Sequence, residues 1–149
     1  MRAALAFVIS VLIASVTFAQ SDTEEAPVET ILPLLLQPEI DDLEAFRWVN
    51  RILLVFANVE QDPRFLEQIR LLEAEPADLA ERDVRIVLDA NPSAKNPLRE
   101  QFHPNGFMLV LVGKDGQVYL RKPLPWDVRE LSRSIDKMPL RQQEVRDRR

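Results

Sequence analysis

Two apolar runs that flank a short polar turn are the most informative pattern in the chain. Residues Phe107–Val112 are apolar throughout, and Val118–Lys122 alternates between apolar and polar positions. The turn between them contains Asp115 and Gly116, a pair that readily adopts the backbone angles of a tight hairpin turn. The pattern predicts a β-hairpin whose first strand is covered on both faces and whose second strand lies nearer the edge of a sheet.

A second pair of largely apolar runs, Arg51–Ala57 and Val84–Ala90, has the length of buried strands. Between them, Asp62 and Pro63 are typical of the first residues of a helix. The apolar stripe of this helix consists of Phe65, Leu66, Ile69 and Leu72. A strand, a helix and another strand in close succession predict a parallel, right-handed βαβ unit.

Shorter helical patterns complete the succession of elements. Glu39–Phe46 and Pro97–Gln101 predict short helices, and a longer helix is predicted from Trp126, followed by a charged helical extension at Leu140–Arg148. The resulting order βαβαββα predicts an α/β fold: a thioredoxin-like three-layer sandwich with a mixed four-stranded sheet and helices on both faces. A likeness of fold implies no function by itself.

The first residues have the features of a secretory signal peptide. Arg2 precedes an apolar stretch, Ala3–Val16, and small residues at Thr17 and Ala19 mark a cleavage site. The stretch is shorter than the ~18–20 residues that span a bilayer, which favours cleavage over an uncleaved anchor. We expect a signal peptide at 1–19, an acidic mobile arm at 20–38 and a thioredoxin-like domain at 39–149. The expected location is periplasmic or secreted, with no transmembrane span after cleavage.

The sequence contains no cysteine. This excludes disulfides, thiol catalysis, cysteine-ligated metal and cysteine lipidation. The net charge is −5, but eight acidic and no basic residues lie between Gln20 and Ala45, whereas nine basic and five acidic residues lie between Arg121 and Arg149. The pI of about 5.0 argues against nucleic acid as a partner, because phosphate binding requires a concentrated basic surface.

Four segments of the sequence resemble a known family. They are Phe46–Ala57, Glu81–Val84, Leu111–Val118 and Ile135–Glu144. Together they are similar to the landmarks of the domain-of-unknown-function 4174 (DUF4174) family, also called P-DUDES, and the resemblance covers about residues 43–144. It implies a thioredoxin-like fold found in exported bacterial proteins and in animal extracellular-matrix proteins. It implies no established reaction.

The resemblance also indicates which chemistry is missing. In redox-active thioredoxin relatives, the nucleophilic cysteine follows the first central strand at a helix N-terminus, where the helix dipole lowers its pKa. The matching segment, Asn58–Arg64, contains no sulfur. Pro104 lies three residues before Phe107, whereas these relatives have a cis-proline directly before the strand. The sequence therefore excludes thiol–disulfide and peroxidase chemistry and predicts no catalytic residue and no cofactor.

Other catalytic and metal sites find little support in the sequence. His103 is the single histidine, and neither Ser93 nor Ser132 has the flanking residues of a nucleophile elbow. The acidic residues at 41, 42 and 44 lack the spacing of a calcium-binding loop. A solvated helix face explains them, so we expect no metal site.

The hairpin and the C-terminal part of the chain contain the candidate residues for binding a partner. These residues are Lys114, Asp115, Arg121, Lys122, Arg133, Lys137 and Arg141. Cations that share a surface attract an anionic partner, and an exposed hairpin turn is a common recognition element. A structural interpretation stays open, because Arg141, Asp136 and Glu144 have the spacing for ion pairs across the proline between the last helices. Arg51 and Arg82 are interpreted as markers of strand ends.

Two functional hypotheses follow from these patterns. The first is an exported, non-redox binding or structural module of the cell envelope, which engages a protein or a polyanionic surface through a basic C-terminal face. The alternative is an enzyme of unrecognised type that uses carboxylate, arginine and lysine side chains near the loop Asn58–Asp62. A further interpretation is that the acidic residues of Gln20–Ala45 cover the basic tail of their own or a neighbouring chain.

Overall fold

The computed structural model describes residue 40, residues 42–94 and residues 96–149. One sheet is formed by β1 (Arg51–Phe56), β2 (Val84–Asp89), β3 (Met108–Val112) and β4 (Val118–Lys122). The strand order is β2-β1-β3-β4, with β1 parallel to β2 and antiparallel to β3, and β4 antiparallel to β3. The βαβ unit and the hairpin are both confirmed, with β3 inside the sheet and β4 at its edge.

Five α-helices in this part of the chain pack around the sheet. They are α1 (Pro63–Ala74), α2 (Pro76–Glu81), α3 (Pro97–Phe102), α4 (Val128–Asp136) and α5 (Pro139–Asp147). All except α4 begin with proline, whose missing N–H costs no hydrogen bond at the first helical position. Each of the helices described is too short or too polar to cross a membrane. The predicted signal peptide and acidic arm lie outside the described residues.

The short helix expected at Glu39–Phe46 is reduced to a three-residue 3-10 helix, Glu44–Phe46. The Asp42 carboxylate accepts a hydrogen bond from the backbone N–H of Glu44 at 2.9 Å. Such a local side-chain bond competes with helical hydrogen bonding. The prediction was therefore wrong about the length of this helix, and its first residue lies outside the described part of the chain.

Two core layers hold the sheet between helices. One layer contains Leu53 and Leu109 and packs against α1, α2 and α4. The other contains Leu54 and Phe56 and packs against α3 and the chain around Ile40. This arrangement confirms the predicted α/β fold with helices on both faces of a mixed sheet.

The apolar stripe of α1 differs from the prediction at one position. Phe65 and Leu72 are buried as expected, but Leu66 is 53% exposed and Gln68 is fully buried. The Gln68 amide donates to the backbone carbonyl of Trp126, and its oxygen accepts from the backbone N–H of Trp126, each at 2.9 Å. Because both polar ends are paired, Gln68 can be buried, and it fastens α1 to the loop before α4.

Candidate functional site

The loop after β1 leads into the N-terminus of α1, the place where the resemblance puts a nucleophile in redox-active relatives. The Asp62 carboxylate caps α1 by accepting from the backbone N–H of Arg64 at 2.9 Å, and it pairs with the Arg64 guanidinium at 3.3 Å. Hydrogen bonding from Arg64 lowers the pKa of Asp62. Neither Asp62 nor Glu60 lines the cavities described below. No metal-binding group of three histidine or carboxylate side chains occurs in the described residues.

A groove lies between the end of β4 and the loop that leads into β3. Its volume is about 220 Å³. The lining residues are His103, Asn105, Phe107, Met108, Arg121, Lys122 and Pro123. Phe107 is buried and Met108 is partly buried, and they give the groove an apolar part. The lining contains two cations and no carboxylate, and we call this feature the cationic groove.

Aromatic rings support both cations of the cationic groove. The Arg121 guanidinium lies 5.4 Å from the centre of the Phe102 ring and donates to the Phe102 carbonyl at 3.0 Å. The Lys122 ammonium lies 4.4 Å from the centre of the Trp126 ring. Neither cation is paired with a carboxylate of the described residues. A ring face attracts a cation without neutralising it, so both charges remain available to a ligand.

Two other cavities contain carboxylates. A cavity of about 70 Å³ beside the 3-10 helix is lined by Asp42 and Glu44. A wider cavity of about 500 Å³ beside α5 is lined by Glu81 and Asp136. In each cavity at least one of these carboxylates pairs with an arginine, although the wider cavity is also lined by Arg146 and Arg149, which form no ion pair among the described residues. The cationic groove differs from these two cavities in that its lining contains no carboxylate.

The opposite end of the sheet contains a set of paired charges, which we call the Glu144 cluster. Its members are Arg51, Arg82, Asp83, Lys114, Asp136, Arg141 and Glu144. Glu144 accepts a hydrogen bond from the Arg51 guanidinium at 3.1 Å and pairs with the Lys114 ammonium at 2.9 Å. Burial alone would raise the pKa of Glu144, but the hydrogen bonds and charges of Lys114 and Arg51 outweigh this effect and lower it.

Arg51 is an internal residue and does not simply mark a strand end. Its side chain is 1% exposed, although it begins β1. The guanidinium also donates to the Arg82 carbonyl at 2.9 Å, while its Nε atom has no hydrogen-bond partner. A cation this deeply buried requires a partner charge. Arg51 thus begins β1, as interpreted from the sequence, and in addition it anchors α5 through its buried ion pair with Glu144.

Arg141 belongs to the same cluster. Its side chain is 3% exposed and lies 3.5 Å from Asp136, 3.7 Å from Glu144 and 3.1 Å from Glu81. Arg82 binds Asp136 through two N–H groups at 3.0 and 2.9 Å. This hydrogen bonding lowers the pKa of Asp136. The predicted ion pairs across the proline before α5 are thus confirmed.

Three of the predicted binding residues have structural partners inside the domain. Arg141 is buried and Lys114 is partly buried in the Glu144 cluster. Asp115 accepts a hydrogen bond from the hydroxyl of Tyr119 at 2.7 Å, which raises the pKa of Tyr119. Lys114 was expected at an exposed hairpin turn and Arg141 on an exposed basic face, but both side chains face inward because carboxylates meet them there. They are not part of an exposed basic face.

The other four predicted binding residues lie in two separate places. Arg121 and Lys122 line the cationic groove. Arg133 on α4 and Lys137, the residue directly after α4, are exposed and lie outside the groove. The basic C-terminal face expected from the charge count is therefore divided, and Arg121 with Lys122 is the pair that borders a cavity.

Asp89 and Arg99 form a second buried pair, which the sequence patterns did not reveal. The Arg99 guanidinium lies 3.0 Å from the Asp89 carboxylate and 5.6 Å from the centre of the Phe56 ring. Asn96 donates to the same carboxylate at 3.0 Å. The pair ties the end of β2 to α3. An aspartate that ends an apolar run, followed by an arginine in the next helix, is the signal that would have indicated it.

Comparison with protein families assigns the chain to a known family. The model of the family described as Domain of unknown function (DUF4174) matches residues 42–144. The chain belongs to the DUF4174 family. The matched range includes both the cationic groove and the Glu144 cluster. No curated protein matches the sequence of this DUF4174 chain.

Solved structures with a similar fold include peroxidases. The reduced 2-Cys peroxiredoxin of Plasmodium vivax aligns with a TM-score of 0.55 at 15% identity, over 69% of the DUF4174 chain and 84% of the other. Thioredoxin peroxidase I of Plasmodium yoelii aligns with a TM-score of 0.54 at 18% identity, over 69% and 79%. At these identities the likeness shows the fold alone, which is thioredoxin-like as predicted. The DUF4174 chain has this fold without a cysteine.

Proposed function

We propose that this DUF4174 chain is an exported, non-redox binding protein that holds acidic segments of other proteins in the cationic groove. The unopposed positive charge of the groove carries the proposal. Arg121 and Lys122 are held by aromatic rings and pair with no described carboxylate, whereas the cations of the Glu144 cluster are matched by acids. A negatively charged partner therefore gains free energy at the groove that it cannot gain at the cluster.

The shape and lining of the groove favour a peptide segment over a compact anion. Phe107 and Met108 supply apolar contact beside the two cations. The Arg121 guanidinium has five N–H donors, and its bond to Phe102 leaves donors free for a carboxylate. A segment in which acidic and apolar side chains alternate satisfies both parts of the lining. Inorganic phosphate would use the charges alone.

Export is supported by the N-terminal sequence. Arg2, the apolar stretch Ala3–Val16 and the small residues before Gln20 have the order of a secretory signal peptide. A binding role in the envelope is compatible with the lack of cysteine, because the fold then offers surface charge and shape but no thiol. Fractionation of cells that express the tagged full chain tests export: the expected product lies outside the cytoplasm and begins at Gln20.

Binding is tested with a fluorescent peptide of alternating glutamate and leucine. In a titration followed by fluorescence anisotropy, we expect saturable binding that weakens as salt rises, because exposed charges are screened. The double variant Arg121→Gln with Lys122→Gln should lose about tenfold in affinity, which corresponds to roughly 0.7 kcal/mol for each exposed charge.

A matched control, the α4 variant, removes two exposed charges from α4 and the residue after it through Arg133→Gln with Lys137→Gln, and its affinity should be unchanged. The proposal is wrong if the α4 variant loses binding and the groove variant keeps it. It is also wrong if inorganic phosphate competes as well as unlabelled peptide does, since the apolar lining would then contribute nothing. Urea unfolding of both variants verifies that the domain remains folded.

A further inference from the structure

Ile40, the first residue that the structure describes, lies on the face of the sheet that is covered by Phe102. Ile40 is buried in the core layer that contains Phe102 and Val110, and Met108 packs against this layer. Met108 also lines the groove, and Arg121 stacks on Phe102. Asp42 and Leu43 line a cavity together with Ile52 and Val112, at the end of the sheet opposite the groove, so the segment before Ile40 would have to run along the sheet to reach the groove.

The charge of the preceding segment complements the groove. Between Gln20 and Glu39 there are acidic residues and no basic ones: Asp22, Glu24, Glu25, Glu29 and Glu39. An apolar run, Ile31–Leu36, follows the first four of these acids. The segment thus combines negative charge with apolar side chains, which is the chemistry proposed above for the partner.

The length of the segment allows it to reach the groove. The residues from Glu29 to Ile40 span up to ~36 Å when fully extended. A six-residue strand such as β1 is roughly 20 Å long. The tether is therefore long enough to pass along the whole sheet, from either end, and still place Glu29 beside Arg121 or Lys122.

We propose that residues Asp22–Leu36 of the chain occupy its own cationic groove and compete with the acidic partner. This inference rests on the proposed function and assigns a regulation to the same site. A tethered segment acts at an effective concentration on the order of millimolar, so weak binding suffices for occupancy. An external partner must displace the segment, which sets a threshold for partner affinity.

The test compares two variants of the chain that begins at Gln20. The first neutralises the arm through Asp22→Asn, Glu24→Gln, Glu25→Gln and Glu29→Gln. The matched control neutralises four exposed acids that form no ion pair among the described residues, through Glu73→Gln, Glu75→Gln, Glu130→Gln and Asp147→Asn. We expect the arm variant to bind the alternating glutamate–leucine peptide about tenfold more tightly than the unaltered chain. The control variant, which has the same net charge as the arm variant, should bind as the unaltered chain does.

A second measurement identifies the place of binding. A synthetic peptide of residues 22–36 should bind the arm variant in trans, and Arg121→Gln with Lys122→Gln in the same background should abolish this binding. If the alternating peptide binds both variants with the affinity of the unaltered chain, the self-occupancy is refuted while the proposed function stands. If it binds neither variant nor the unaltered chain, the proposed function fails as well. Equal tightening in the control variant would show a general charge effect and refute self-occupancy.

Discussion

Replacement of Glu144 by glutamine tests whether the Glu144 cluster anchors the last helix. The substitution keeps the size of the side chain and removes the charge that faces Arg51 and Lys114. Arg51 is 1% exposed, so water has little access to its guanidinium, whereas Lys114 is 11% exposed and keeps its ion pair with Asp83 at 2.8 Å. Removing one partner of a buried ion pair costs about 3–5 kcal/mol. Because Glu144 is itself 18% exposed and glutamine retains an acceptor oxygen, we expect a loss of about 3 kcal/mol.

Urea unfolding at neutral pH, followed by tryptophan fluorescence, measures this loss. The free energy of unfolding should fall while the dependence on urea concentration stays constant, since the folded and unfolded surfaces are unchanged. Glu130→Gln is the matched control, because Glu130 is exposed on α4. Its effect should remain within about 0.5 kcal/mol, as is usual for surface substitutions.

A double-mutant cycle with Arg51→Met separates the ion pair from other effects of the substitution. If Glu144 acts through Arg51, the two substitutions should not be additive, and their coupling should be about 1–3 kcal/mol. The double variant removes the buried cation together with its partner charge and should be more stable than the sum of the single losses implies. A Glu144→Gln loss below about 1 kcal/mol, as for a surface pair, would refute the anchoring role. Additive effects would refute the direct pairing.

Three further predictions concern pH, a helix cap and a glycine. The pKa of Glu144 in the folded chain lies below its ordinary value of 4.5. The ionised Glu144 therefore stabilises the folded chain fully above that pH, and this contribution is lost as the pH falls through the folded pKa. In Glu144→Gln, the free energy of unfolding should depend less steeply on pH below 4.5. Asp127→Ala removes the cap of α4, a 2.7 Å bond to the N–H of Glu130, and should cost about 1 kcal/mol in urea unfolding, whereas Asp127→Ser should restore most of it. Gly113→Ala would place a methyl group 2.5 Å from the Tyr119 ring and 2.6 Å from a carboxylate oxygen of Asp115, and should cost about 1–2 kcal/mol. Tyr119→Ala removes one of these two contacts, so in that background the penalty should be smaller but should not vanish.

The topology of the sheet was predictable because burial leaves a direct trace in the sequence. A strand covered on both faces must be apolar at nearly every position, and β1 and β3 are. The Asp115–Gly116 turn placed β3 and β4 together, and one intervening helix implied the parallel pairing of β1 with β2. These are local rules, so no knowledge of the distant packing was required.

Buried polar residues were not predictable in the same way, because their partners are distant in sequence. Arg51 is buried because Glu144 meets it from α5, and Gln68 is buried because the backbone of Trp126 satisfies its amide. From sequence alone, a polar residue in an apolar run is interpreted as an exposed residue unless its hydrogen-bond partner is known. The predicted binding residues lie in separate places for the same reason. The number of charges along a segment does not tell which cations face the interior, and Lys114 is one that does.

The two ends of the sheet use the same residue types in opposite ways, and this difference limits where recognition can occur. At the end where β1 begins, the Glu144 cluster pairs each cation with a carboxylate. An anionic ligand that binds there would have to displace one of these carboxylates and would lose its own hydration. At the end where β4 finishes, Phe102 and Trp126 support Arg121 and Lys122 and leave their charge uncompensated. Substitutions in the cluster should therefore change the free energy of unfolding with little effect on the affinity for acidic peptide. Substitutions of the two groove cations should do the reverse, and an affinity loss in Glu144→Gln under conditions where the variant is folded would contradict this division.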